Sequence, residues 1–196
     1  MKDIEKFNEI KKHALERHIP IIMDDTLNVI EERLQERKTN RILEIGTAVG
    51  YSAICFSEFL EPNGVIDTIE RDEERIKEAK ENINIIDDNK KINIYEGDAV
   101  EILPTINEKY DMIFIDAAKG KYPFFLEQAL RLLKKDGIIF ADNILYKGYV
   151  MSDYNKHKQR TAVTHLREYI KLTTEDPRLN TEILEVGDGL AITKMK

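Results

Sequence analysis

"TEILEVGDGLAITKM", residues 181–195, places two short apolar runs on either side of Gly187-Asp188-Gly189. Glycines around an aspartate between alternating hydrophobic segments signal a tight β-hairpin, whose strands run antiparallel. The earlier strand candidates are instead separated by helical patterns. They are "RILEIG" (41–46), "VIDTIE" (65–70), "KINIYEG" (91–97), "YDMIFID" (110–116) and "GIIFAD" (137–142). Helical spacing covers about 50–60, 72–86, 124–134 and 157–172, with a short turn ending near Pro104. Pro62-Asn63-Gly64 reads as the close of the first of these helices. Two further helices, about 2–17 and 25–37, come first, with Asp24 or Asp25 as a natural N-cap of the second. Repeated strand–helix alternation predicts a mostly parallel sheet with helices on both faces. The closing hairpin adds a last strand antiparallel to its neighbours. The expectation is one α/β domain over residues 1–196 with a seven-stranded sheet, to which helices 1–38 are an appendage.

The 196 residues are 42% hydrophobic and 34% charged, which suits a globular domain with a sizeable core. No apolar run approaches the ~18 residues of a membrane span. The charged N-terminus lacks the apolar centre of a signal peptide. No membrane association and a cytoplasmic location are therefore expected. Cys55 is the single cysteine, so no disulfide framework or Cys-based metal site is expected. The net charge of −7 opposes generic nucleic-acid binding, yet it is unevenly spread. Residues 1–116 carry 16 Lys/Arg against 27 Asp/Glu, whereas residues 117–171 carry 11 against 5. A basic region on an acidic body fits an anionic partner held in one place, or simply a solvated helix face.

Ligands of open parallel sheets bind beyond the carboxyl ends of the strands. Here those ends carry Glu44 with Gly46, Glu70, Gly97-Asp98, Asp116, and Asp142-Asn143. A single strand-end Asp is most often a helix N-cap; five acidic ends along one edge suggest a ligand rich in hydroxyls and amines, with a cation. "EIGTAVGYS" gives Gly46-x-x-x-Gly50, not the G-x-G-x-x-G that brings backbone against a pyrophosphate. Glu44 makes that loop unfriendly to phosphate and suited to an ammonium. Glu70 can accept both hydroxyls of a ribose, and Asp98 can meet an adenine edge. An amino-acid head, a ribose and an adenine without phosphate describe S-adenosylmethionine; a dinucleotide is the rival. Asp116, Asp142 and Asn143 offer oxygens suited to Mg²⁺ or another hard divalent cation. Alternatively, Asn143 starts an Asx-turn and Asp142 caps the next segment. Lys119, three residues after Asp116, is a candidate general base or a solvated loop lysine. Tyr122 and Tyr146 wall an acceptor pocket or pack, with packing favoured for at least one. His13, His18, His157 and His165 read as solvated helix positions.

"LEIGTAVGYSA", "IERD", "EGDA", "YDMIFIDAAKGKY", "FADNILYKG" and "GDGLAITK" together resemble the cation-dependent O-methyltransferases of the catechol and caffeoyl-CoA type. The resemblance spans nearly the whole chain. It implies a Rossmann-like class I methyltransferase fold, and a homodimer is common among such proteins. It assigns Glu70 to the ribose of the cofactor, and Ser52 with the Gly46 loop to its methionine end. Asp98, Ala99 and Asp116 would frame the adenosyl part, and Met23 lies in a segment that closes over the cofactor. Asp116, Asp142 and Asn143 match the metal ligands and Lys119 the proposed base. "DNILYKGYV" followed by "NKHKQR" resembles a bacterial subgroup that methylates 5-hydroxyuridine in the tRNA anticodon loop. On that reading Lys147, Lys156, Lys158 and Arg160 are candidate phosphate contacts. A small acceptor with vicinal oxygens, such as a catechol, phenolic or caffeoyl compound, is the alternative.

Overall fold

The computed structural model describes residues 4–86, 91–153 and 159–196. Its first elements are α1 (Ile4–Glu16), α2 (Asp24–Gln35), β1 (Thr39–Ile45), α3 (Tyr51–Ser57), β2 (Leu60–Glu70), α4 (Glu73–Ile86), β3 (Ile92–Glu96) and α5 (Ala99–Ile102). There follow β4 (Tyr110–Ile115), α6 (Tyr122–Leu132), β5 (Leu133–Ala141), α7 (Arg160–Glu175), β6 (Leu179–Leu184) and β7 (Leu190–Met195). The strands form a seven-stranded sheet in the order β3-β2-β1-β4-β5-β7-β6. β1–β2, β2–β3 and β4–β5 pair in parallel, and β7 pairs antiparallel with β5 and β6. This is the sheet that the alternation and the terminal hairpin predict. Among the described residues, no helix is long and apolar enough to cross a membrane.

Two compact units make up the chain, Met1–Thr105 and Ile106–Lys196. In the first, Ile42, Leu43 and Ile45 of β1 are fully buried, the continuous apolar run of a strand covered on both faces. α2 buries Leu27, Ile30 and Leu34, and α4 buries Ile76, Ala79 and Ile83, each a one-sided helical stripe. The N-cap of α2 is Met23, not Asp24 or Asp25. Asp24 instead takes the Lys11 ammonium at 2.5 and 2.7 Å, and Asp25 accepts from the Thr26 N–H. Both acids still sit in the first turn, where the helix dipole favours them. α1 packs the Phe7 ring on Tyr51, with centroids 4.9 Å apart, and pairs Arg17 with Glu78 at 2.7 Å.

In the second unit, Met112, Ile113 and Ile115 of β4 and Ile138–Ala141 of β5 are fully buried. α6 starts at Tyr122, two residues before its apolar spacing begins, because Pro123 supplies a first-turn residue with no N–H to satisfy. α7 begins at Arg160, and the residues expected to open it, 157 and 158, lie outside the described residues.

β2 and β5 begin at Leu60 and Leu133, well ahead of their apolar runs. Thr39 pairs with Leu60 but Arg41 with Val65, so residues 61–64 bulge out of β2. Tyr110 pairs with Leu133 but Met112 with Ile138, and residues 134–137 bulge from β5 in the same way. Each bulge ends in a glycine pressed against its leucine. A Cβ on Gly64 would lie 2.9 Å from the Leu60 Cβ, and one on Gly137 would lie 2.6 Å from the Leu133 side chain. Pro62-Asn63-Gly64 thus interrupts a strand, and α3 ends earlier, at Ser57.

Candidate active site

In the first unit, the end of β1 turns through Gly46 and Gly50 into α3, where Gly50 is the N-cap at φ +82°. Glu44 is fully buried beneath this turn. Its Oε1 accepts from the Ser52 hydroxyl at 2.5 Å and its Oε2 from the Thr68 hydroxyl at 2.5 Å. The Thr47 and Thr68 hydroxyls are 2.6 Å apart, which ties the turn to β2. Glu44 therefore organises the loop from beneath, joining the start of α3 to β2. Glu70, at the tip of β2, is oriented by three backbone donors. Its Oε2 accepts from Ala48 N at 2.9 Å, and its Oε1 from Arg71 N at 2.9 Å and Asp72 N at 3.0 Å. Asp98 caps α5 by accepting from Val100 N at 2.9 Å, and its other oxygen pairs with Arg71 at 3.2 Å. Ala99 is the first residue of α5. Gly97 N donates to the Glu70 carbonyl at 2.8 Å, which keeps the tips of β2 and β3 together. Glu44 and Ser52 are thus bonded directly, Glu70 is bonded to the Gly46–Gly50 turn, and Asp98 is linked to Glu70's neighbour. Met23 stands apart from these bonds, half-exposed ahead of α2.

In the second unit, β4 and β5 pair as far as Ile115 and Ala141, so Asp116 and Asp142 are the next residue on each strand. Asp142 N donates to the Ile115 carbonyl at 3.0 Å, which holds the two tips side by side. Asp142 is 1% exposed. Burial first, and then the Asp116 carboxylate, push its pKa up to about 7, against the opposing effects of the Asn143 N–H and Lys119. The Asn143 N–H donates to Asp142 Oδ1 at 2.6 Å, and Asn143 adopts φ +57°. The acceptor here is the Asp142 carboxylate and the donor the adjoining backbone N–H, so this bond is not the Asx-turn started by Asn143 that the sequence offers as an alternative. Lys119 Nζ donates to Asp116 Oδ1 at 2.7 Å and lies 5.7 Å from the Tyr122 ring centre. Among the described residues no three His, Cys, Asp or Glu are placed to hold a metal ion, so an oxygen set here depends on the Asn143 amide. Two aspartates and an amide are hard donors, and like-charge repulsion at Asp142 is what a divalent cation relieves.

A family model described as O-methyltransferase matches residues 34–196. The chain belongs to the O-methyltransferase family. A catechol O-methyltransferase of Niastella koreensis is 33% identical over 168 residues, covering 81% of this chain and 75% of the relative. A caffeoyl-CoA O-methyltransferase of Populus kitakamiensis is 30% identical, covering 82% of this chain and 72% of its own. The crystal structure of the O-methyltransferase from Bacillus cereus in complex with SAH (S-adenosylhomocysteine) superposes with a TM-score of 0.87 at 26% identity, covering 97% of this chain and 90% of that one.

Within this O-methyltransferase frame, three residues matter more than their sequence setting suggests. Tyr122 is fully buried, and its hydroxyl donates to the Asp142 carbonyl at 2.6 Å, with the Ile115 carbonyl 3.3 Å away. It packs rather than walls a pocket, and it ties the two acidic strand tips from below. His165 is not a solvated helix position: its Nδ1 lies 2.6 Å from the Gly120 carbonyl, in the 3₁₀ turn that carries Lys119. Asp188 binds the loop after Asn143. Of the three, Tyr122 in "AKGKY" and Asp188 between its glycines stand in stretches that the sequence singles out, whereas no local pattern marks His165. Lys147 and Arg160 are exposed, whereas Lys156, Lys158 and His157 lie outside the described residues.

Proposed function

We propose that this O-methyltransferase uses S-adenosylmethionine and a divalent cation, Mg²⁺ or similar, to methylate a hydroxyl that has a second oxygen beside it. The observation that carries the reading is the pair of carboxylates one residue beyond the β4–β5 ladder, with Lys119 bonded to one of them. S-adenosylmethionine supplies a methyl group activated on a sulfonium. Glu70 would accept from its ribose hydroxyls, and Ser52 and the Gly46 turn over Glu44 would hold its methionine end. Asp98, Ala99 and Asp116 would frame the adenosyl part, and Met23 would close over it. Asp116, Asp142 and Asn143 would hold the cation, whose chemistry is Lewis acidity toward the acceptor's paired oxygens. Lys119, which Asp116 holds at the tip of β4, would be the group that takes the acceptor hydroxyl proton at Nζ. The rest is positioning, which converts the encounter into an intramolecular step.

The acceptor class that best fits the named relatives is a small catechol, phenolic or caffeoyl compound. The basic balance of residues 117–171, with Lys147 and Arg160 exposed, favours a second reading, 5-hydroxyuridine in a tRNA anticodon loop. Its 5-hydroxyl beside the 4-oxo group is the same vicinal pair. Parallel assays with labelled S-adenosylmethionine on caffeate, catechol and hydroxyuridine-containing tRNA, each with Mg²⁺ and with EDTA, test both. Transfer to a small catechol alone supports the first acceptor, and transfer to tRNA alone supports the second. Full transfer in EDTA removes the cation from the proposal.

A further inference from the structure

The segment after Asn143 has an unusual backbone. Tyr146, Lys147 and Gly148 have φ of +42°, +57° and +72°, three successive left-handed residues of which two carry side chains. Side chains disfavour this conformation, and such a run persists only where surrounding contacts over-determine it. Here those contacts come from one place, the turn between β6 and β7. Four consecutive N–H groups point at it. Ile144 N donates to the Gly189 carbonyl at 2.9 Å, Leu145 N to the Asp188 carbonyl at 3.0 Å and Tyr146 N to the same carbonyl at 3.3 Å. Lys147 N donates to the Asp188 carboxylate at 2.5 Å. The approach is close enough that a Cβ on Gly189 would lie 2.8 Å from the Leu145 backbone nitrogen.

We propose that Asp188 is a positioning residue. It accepts the 145–147 amides, holds the left-handed turn, and thereby fixes Asn143 and the Tyr146 ring toward the acceptor. The functional half of this statement rests on the O-methyltransferase reading above; the structural half does not. The side-chain oxygen is the specific element, because among the described residues no carbonyl reaches the Lys147 amide. The Tyr146 ring meets Tyr149 edge-on at 5.9 Å, and Tyr149 N donates back to the Tyr146 carbonyl, so the ring's direction follows from the turn.

Asp188→Ala and Asp188→Asn separate this role from general stability. Asparagine keeps an oxygen for Lys147 N, and alanine does not. In hydrogen exchange, peptides covering 143–149 should exchange about tenfold faster in Asp188→Ala and recover most of their protection in Asp188→Asn. Peptides from β1 and β4 should match wild type in both. The alanine variant should raise the acceptor KM about tenfold while S-adenosylhomocysteine affinity, by calorimetry, stays within about twofold. Unchanged exchange at 143–149 in Asp188→Ala, or faster exchange throughout the chain, overturns the proposal. Loosened exchange with an unchanged acceptor KM also overturns it, since the turn would then orient nothing that binds. If wild type methylates no vicinal-oxygen acceptor, the activity reading fails, and the exchange comparison still judges Asp188.

Discussion

Replacing Gly189 with alanine puts the hairpin contact under direct load. At φ +92° an alanine is strained by about 1–2 kcal/mol before any contact is considered. Its Cβ would then lie 2.4 Å from Leu145 Cγ and 2.8 Å from the Leu145 nitrogen, distances that backbone must move to relieve. That movement opens the Ile144 N–Gly189 carbonyl and Leu145 N–Asp188 carbonyl bonds, each contributing about 1 kcal/mol net. The total loss is about 3–4 kcal/mol. Gly148→Ala is the control, because Gly148 is also left-handed at φ +72° but has nothing within 4 Å of an added Cβ. It should lose only the strain, about 1–2 kcal/mol. Urea unfolding followed by far-ultraviolet circular dichroism measures the difference. With a slope of about 2 kcal/mol per molar, the two midpoints should differ by about 1 M. Equal midpoints at unchanged slope would refute the close approach of Leu145 to the hairpin turn.

Asp142 gives stability a pH dependence of definite sign. Burial and Asp116 raise its folded pKa from 3.8 to about 7, so its protonated form is the one favoured in the folded chain. Its contribution to stability is therefore full below about pH 4 and declines as pH rises to about 7, by an amount on the order of 4 kcal/mol. In metal-free buffer, Asp142→Asn should melt above wild type at pH 8 and close to it at pH 4; parallel melting curves across that range would contradict the buried pairing. Thr68→Val deletes a fully buried donor to Glu44 and should cost about 2–3 kcal/mol, read as a lower Tm, together with weaker S-adenosylhomocysteine binding in calorimetry. Burial, with Glu31 adding, pushes the Cys55 thiol far up, so it should not react with a thiol reagent at pH 8 until the chain is unfolded. Rapid labelling of the folded protein would show Cys55 to be accessible.

Much of the sheet was legible because parallel strands buried on both faces need continuous apolar runs, and "YDMIFID" and "GIIFAD" are such runs. The hairpin was legible from its glycines. The acidic residues at the strand ends were readable for the same reason, since each follows directly on an apolar run. Element starts were less so: residues 61–64 and 134–137 look like ordinary turns, and only pairing with the neighbouring strand makes them bulges. The partners of the site residues were hidden for another reason. Thr68 lies inside a strand 24 residues from Glu44, and the amides of residues 144–147 are backbone groups that any sequence would supply. Contacts of that kind depend on chain crossings, which no local pattern encodes.

The two bulges share one layout: a buried leucine, two exposed residues at the crest, and a buried glycine before the strand resumes. They act as expansion joints. A residue gained or lost at Pro62-Asn63 or at Lys135-Asp136 would alter only a solvent-facing crest, leaving the pairing from Val65 and Ile138 onward as it was. Glu70, Asp142 and Asn143 all lie downstream of these crests. Either crest can therefore change in length while the register of β1 with β2, or of β4 with β5, stays as it is.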